Sequence, residues 1–400
     1  MTRRTIGQIG TLWSQNLILL ATATFLYNFG NGLFSGVSTN FYVQTLGLSG
    51  KQVLWLAGLR EIPGLGLMFI AALLIRLPLA YRAGLAMLIM AVGYGLYALV
   101  GSFWGLVAVA IAASLGFHLW FPLRNALGMA LVPREQSGRV LGALTSAQSL
   151  AAIVGMGAVA LLSKVASSIP LRAYFVIGAG LILIAAVFVF RLPKTLGAPL
   201  KEERRILLKR RYWLFYVLTF FEGSRVQVFH AFGTLVLVQN YGWSVSQISL
   251  LLLASSVVNF VASPYIGRAL DVWGERNTLT ASYILLVLCF VGYATIHHPV
   301  ILGLLLIVIN LLVLLQIGLQ TYVNRIALPE ELTPTLSAGV TINHITSVGM
   351  SLVAGSLLAL VGYEALCWGA AGVILLSVPF AWAIRTHYPS VAQAHAAPAE

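Results

Sequence analysis

The run "LGLLLIVINLLVLLQIGL", Leu302–Leu319, carries no charge over eighteen residues, and only Asn310 and Gln316 interrupt it with polar side chains. Apolar side chains fall on every face of a helix built from it, so no face is suited to water. About 20 such residues cross the hydrocarbon core of a bilayer. The rest of the 400-residue chain follows suit: 59% of residues are apolar and 9% charged, with a mean hydropathy of +0.92. Soluble domains average about a quarter charged. A transmembrane β-barrel is excluded, because it requires short alternating segments rather than long unbroken runs. The expected class is an all-α membrane protein.

Twelve runs are long enough to span, at roughly 17–44, 52–75, 83–100, 104–132, 138–163, 171–191, 212–240, 246–266, 277–296, 299–327, 336–362 and 365–385. The net charge of +13 fits basic loops better than a nucleic-acid surface. Eighteen Lys and Arg fall on one set of loops and termini, against Lys51, Lys164 and Arg172 on the other. The positive-inside rule therefore puts both termini in the cytoplasm of a multi-pass protein of the plasma (inner) membrane. The first run has no cleavage site behind it and is read as a retained span. Cys289 and Cys367 lie in separate apolar runs, so neither a disulfide frame nor a metal motif is expected.

The charged stretch "LPKTLGAPLKEERRILLKRRYW" divides the chain into 1–191, a cytoplasmic linker at 192–211, and 212–400. The halves echo each other. "VQTLGLSGKQV" from Val43 and "VQNYGWSVSQI" from Val238 share Val, Gln, Gly, Ser and Gln at an offset of 195. "VPREQSGRVLGALT" from Val132 and "LPEELTPTLSAGVT" from Leu328 share Pro, Glu and a final Thr at 196. Two tandem six-span halves form the parallel repeat of one large transporter group.

The chain's one aspartate, Asp271, lies in "GRALDVWGER" between spans eight and nine. Here the chain resembles the major facilitator superfamily, whose loop signature is roughly G-x-x-x-D-[RK]-x-G-[RK]-[RK]. Gly267, Asp271, Gly274 and Arg276 match it, while Val272 and Glu275 depart from it. The resemblance implies two pseudo-symmetric six-helix bundles around a central cavity, with alternating access between the two sides. It also implies a gating role for these four residues. Gly267 is expected to let span eight approach a neighbour. Asp271 suits the N-terminal end of span five, where free N–H groups and the helix dipole meet it, with Arg139 or Arg276 completing the network. A local loop cap is the plainer reading. At the same offset the first half has Arg76 in place of Asp271, so it lacks this latch.

Charges within spans are rare and usually functional. Arg60 and Glu61 lie in span two, Arg124 in span four, and Glu222 and Arg225 in span seven. The resemblance places spans one, four, seven and ten around the cavity, so Arg124, Glu222 and Arg225 are expected to face it. Glu222 and Arg225, spaced i,i+3, share a face and can neutralise each other; the functional reading makes Glu222 a proton carrier beside a substrate-binding Arg225. Arg60 and Glu61 point about 100° apart on a helix and need other partners; Glu61 is the second candidate for proton coupling. Arg124 has no acidic neighbour on its own helix. Trp120, Tyr27, Asn31, Gln316 and Gln320 complete the candidate substrate-binding set, with core packing and interhelical hydrogen bonding as the plainer readings. His118, His230 and His344 are read as packing residues.

No nucleotide loop, nucleophile–base arrangement or metal-ligand cluster is present in the sequence, which argues against an ATP-driven pump, an enzyme, a metal or another cofactor. Secondary transport remains. The surplus of buried Arg over Glu favours a small organic anion, and a proton is the simplest coupling partner; the other partners expected are membrane lipids, with a monomeric state. Export of drug-like, amphipathic or lipid-like compounds is the other reading. Drug–proton antiporters of the superfamily carry an Arg before Gln-Gly early in span four and a Gly-Pro pair in span five, and neither is found here.

Overall fold

A computed structural model describes residues 14–74, 76–133, 136–196 and 208–385. Arg3, Arg4, Trp13, Arg134, most of the linker and the tail after Arg385 lie outside them. The described chain is helical: α1 (Gln15–Asn40), α2 (Gly50–Leu59), α3 (Ile62–Leu73), α4 (Leu79–Leu96), α5 (Phe103–Ala130), α6 (Ser137–Val165), α7 (Leu171–Phe190), α8 (Trp213–Tyr241), α9 (Val245–Thr295), α10 (Pro299–Val313), α11 (Ile317–Ile326) and α12 (Pro329–Trp382). Eight helical stretches are long and apolar enough to cross a membrane. Two of them are double. α9 turns back at Gly274 (φ 73, ψ 165) and α12 at Gly362 (φ 80, ψ 177), a backbone region open in practice only to glycine. With α2 and α3 counted as one span and the 29-residue α8 added, neither being among those eight, the described residues make twelve helical segments of spanning length. Span eight runs on as helix to Gly274, so the loop expected over 267–276 shrinks to one residue.

The sequence repeat at Val43 and Val238 is a repeated piece of helix punctuation. Gly47 and Gly242 both take left-handed φ values, 64° and 65°, ending spans one and seven as helices commonly end. Two residues later Ser49 and Ser244 start the next helix with the same reciprocal cap. Gln52 N–H donates to Ser49 Oγ at 3.4 Å and Ser49 N–H to Gln52 Oε1 at 3.0 Å. Gln247 and Ser244 repeat this at 3.3 and 2.9 Å.

The chain divides into two compact units. The first contains Met1–Gly47, Ile62–Lys201 and Ser244–Ser256; the second contains Leu48–Glu61, Glu202–Trp243 and Val257–Glu400. Each unit is therefore mostly one half of the chain, but the first parts of spans two and eight are exchanged. In the first unit α1 packs on α6 and α7, and α4 on α5 and α7, around a core that includes Leu20, Met87, Met90, Trp120 and Ile182. The borrowed start of span eight is tied in by Ser249 Oγ, which donates to the Gly36 carbonyl at 2.9 Å, and Ser246 Oγ, which donates to the Ala160 carbonyl at 2.8 Å. In the second unit α12 packs on α8, and the borrowed α2 packs on both. The start of α12 is anchored through buried Glu331, which binds Lys209, Arg211 and the Tyr212 hydroxyl, the last at 2.6 Å.

Candidate functional site

In the first unit Arg124 is 4% exposed. The sequence leaves it four possible partners: Glu61, water, helix-end carbonyls or a ligand. Its guanidinium donates to two side-chain amides: Nη2 and Nε reach Asn125 Oδ1 at 2.9 and 3.2 Å, and Nη1 reaches Gln148 Oε1 of α6. The Phe121 ring lies 5.3 Å from the guanidinium carbon. These contacts satisfy donors without supplying a negative charge. Gln148 escaped notice in the sequence because a single amide in an apolar run looks like ordinary interhelical glue. Trp120 is 1% exposed and packs edge-on against Tyr27, centroids 6.2 Å apart, inside the hydrophobic core. Asn31 accepts from the Tyr94 hydroxyl at 3.4 Å.

In the second unit Arg225 is buried, and its guanidinium carbon stands 4.1 Å from the centroid of the Tyr283 ring. Among the described residues no ion pair closes between it and Glu222, although i,i+3 spacing permits one. The arginine turns instead toward the aromatic face on span nine, where the ring quadrupole attracts a cation. Nothing in the sequence marked Tyr283. Gln316 lies in a short 3-10 stretch, Leu314–Gln316, that interrupts span ten, and Gln320 is exposed.

Arg60 and Glu61 differ from the expectation of divergent side chains. The helix is broken at these two residues, so the 100° rule does not apply and Arg60 Nε lies 3.4 Å from Glu61 Oε1. Glu61 Oε2 also lies 3.5 Å from His344 Nδ1, so His344 is more than a packing residue.

The loop signature behaves differently from its expected form. Gly267 is helical, and a Cβ added there meets nothing within 4 Å, so no close approach requires it. Gly274 is required by its backbone angles. Asp271 is exposed and makes no hydrogen bond or ion pair among the described residues; Arg139, on the first turn of α6, is also exposed. The buried acid of this turn is Glu275, which departs from the signature. It is 3% exposed and its Oε1 lies 2.7 Å from Arg325 Nε at the end of span ten. Arg276 stacks on Trp382, 3.8 Å from the ring centroid.

Comparison with known proteins places this architecture. The profile of the Major Facilitator Superfamily matches residues 20–229 and again 226–399. A multidrug resistance protein, MdtH, of Proteus mirabilis (strain HI4320) is 30% identical over 224 residues, covering 54% of this chain and 52% of that protein, so the match spans about half of each. The crystal structure of the nucleoside transporter NupG superimposes with a TM-score of 0.75 at 16% identity, over 94% of this chain and all of that one. A bacterial homologue of the human lysosomal transporter Spinster, inward-facing and occupied, gives 0.73 at 13% over 92% and 95%. A D-xylose–proton symporter gives 0.70 at 13% over 92% and 97%. The two structural units, the twelve crossings and a family profile matched twice along the chain lead to one assignment: this multi-pass membrane protein belongs to the major facilitator superfamily.

Proposed function

We propose that the protein carries a small organic anion by alternating access, linked to protons, with both termini in the cytoplasm. The observation that carries this reading is Arg124, a buried guanidinium whose contacts among the described residues are two neutral amides and an aromatic ring, with no carboxylate. Such a charge near the bilayer centre costs at least ~2.5–3.5 kcal/mol, and hydrogen bonding to amides leaves it unneutralised. Arg225, in the other unit, has an aromatic face as its described contact and the acid Glu222 within electrostatic reach on its own helix, so it is the less exposed to this cost. An acidic group on the solute supplies the missing charge. Glu222 and Glu61 are the candidate proton carriers. Tyr27, Asn31, Trp120, Gln316 and Gln320 remain candidates for shaping the site, Trp120 and Tyr27 from within the core. Asp271 and Arg139, both exposed, remain candidates for the gate with Gly267, Gly274 and Arg276. A thermal-shift screen of organic acids against the wild type and Arg124→Ala tests the reading. Stabilisation by acids that disappears in the variant supports it; equal stabilisation of both proteins overturns it.

A second reading, export of drug-like compounds, is favoured by the multidrug resistance protein of Proteus mirabilis. Cationic dye efflux from everted vesicles that is indifferent to Arg124→Ala would select it.

A further inference from the structure

Span two is interrupted where its charges lie. α2 ends at Leu59, Arg60 and Glu61 form a turn, and α3 begins at Ile62. Pro63 is the cause: it has no N–H for the Leu59 carbonyl, and its ring crowds that carbonyl in a continuous helix. The turn is closed by Glu61 N–H donating to the Gly58 carbonyl at 2.9 Å. It carries the Glu61 side chain into the second unit, where it is buried against His344 of α12 at 3.5 Å, with half-exposed Arg60 on its other oxygen.

The pair sits at one end of a tight seam. His344, Val348, Ser351 and Gly355 recur along one face of α12. A Cβ on Gly58 would lie 2.7 Å from Ser351 Cβ and 3.1 Å from the Val348 carbonyl oxygen, and one on Gly355 would lie 2.8 Å from the Lys51 carbonyl oxygen. α2 and α12 are thus in backbone contact. Trp55 spans the seam: its Nε1 donates to the Leu352 carbonyl at 3.0 Å and to Ser356 Oγ at 3.3 Å.

We infer that Glu61 and His344 form a proton site whose occupancy controls the α2–α12 seam. When the imidazole carries a proton and Glu61 does not, the two side chains, 3.5 Å apart, are an ion pair that bridges the helices. A second proton, on Glu61, leaves a neutral acid beside a cation, and the attraction holding this end of the seam is lost. Arg60 is the charge beside Glu61 in the same turn, and Lys51 lies at the far end of α2. His230 of α8 also interacts electrostatically with Arg60 and Glu61. His118, on α5 of the other unit, bonds within its own helix to Ser114. The inference deepens the proton-linked reading and rests on it for its role in transport.

The test uses the full chain in nanodiscs, labelled with 5-fluorotryptophan, with the Trp55 resonance identified by its loss in Trp55→Phe. The Trp55 fluorine shift is expected to follow pH, with an acid-side step where Glu61 takes its proton. Glu61→Gln should remove the step, and His344→Gln should displace its midpoint by about one pH unit or more. Glu61→Asp, which keeps the acid but shortens its reach, replaces the Gln variant if that does not fold, and should move the step. A Trp55 resonance that does not titrate, or that titrates identically in every folded variant, overturns the inference. Uptake into proteoliposomes with and without a pH gradient reads proton linkage separately. A gradient effect with a Trp55 step indifferent to Glu61 sinks the seam site alone; a Glu61-dependent step without a gradient effect sinks the proton-linked reading alone.

Discussion

Glu275 and Arg325 stand 2.7 Å apart, the carboxylate 3% exposed and the arginine side chain nearly half exposed. The turn between spans eight and nine is thereby fastened to the end of span ten inside its own unit, while Asp271, the signature acid four residues earlier, projects outward. Arg325→Ala leaves a buried carboxylate without its cation and is expected to cost about 1–3 kcal/mol. Arg325→Lys should recover part of this. Thermal unfolding in detergent, extended to a double-mutant cycle with Glu275→Gln, measures it; additive losses would show that the two residues do not interact.

The two signature glycines should separate. Gly274→Ala forces a side chain into a glycine-only conformation and is expected to cost about 1–3 kcal/mol. Gly267→Ala is in open helix and should be neutral or stabilise by about 0.5–1 kcal/mol. Unfolding midpoints that fall equally in both variants would contradict the assignment.

Gln148→Leu removes an acceptor from buried Arg124 while keeping the side chain's bulk. A loss of about 1–3 kcal/mol is expected, with any acid binding reduced because the guanidinium is no longer held in place. Acid binding that survives Gln148→Leu at full affinity would mean that Gln148 does not position Arg124 for the ligand.

Tyr283→Phe keeps the aromatic face under Arg225, and Tyr283→Leu removes it. The leucine variant should be less stable than the phenylalanine variant by about 0.5–2 kcal/mol, the value of a cation on an aromatic ring. Equal stability would show that the 4.1 Å contact contributes no attraction.

Much of the architecture was legible in the chain because a bilayer leaves few choices. Runs such as Leu302–Leu319 must be helices, since hydrocarbon cannot satisfy an open backbone. The echo of Val43 in Val238 was legible as duplication, and its content proved to be local: a left-handed glycine and a Ser/Gln cap, both determined within a few residues. The membrane class and the helical repeat were therefore properties of the sequence. Partners were not. Arg124 found Gln148 on span five, Arg225 turned to Tyr283 on span nine instead of the acid three residues away, and Glu61 met His344 from the far end of the chain. Spacing along one helix defines which side chains share a face, but a charge in a low-dielectric interior goes wherever donors, acceptors and π faces from other helices converge. That convergence is decided by packing. Glycines such as Gly58 and Gly355 bring helices from opposite halves of the chain into backbone contact, and only the tertiary structure shows which helices meet.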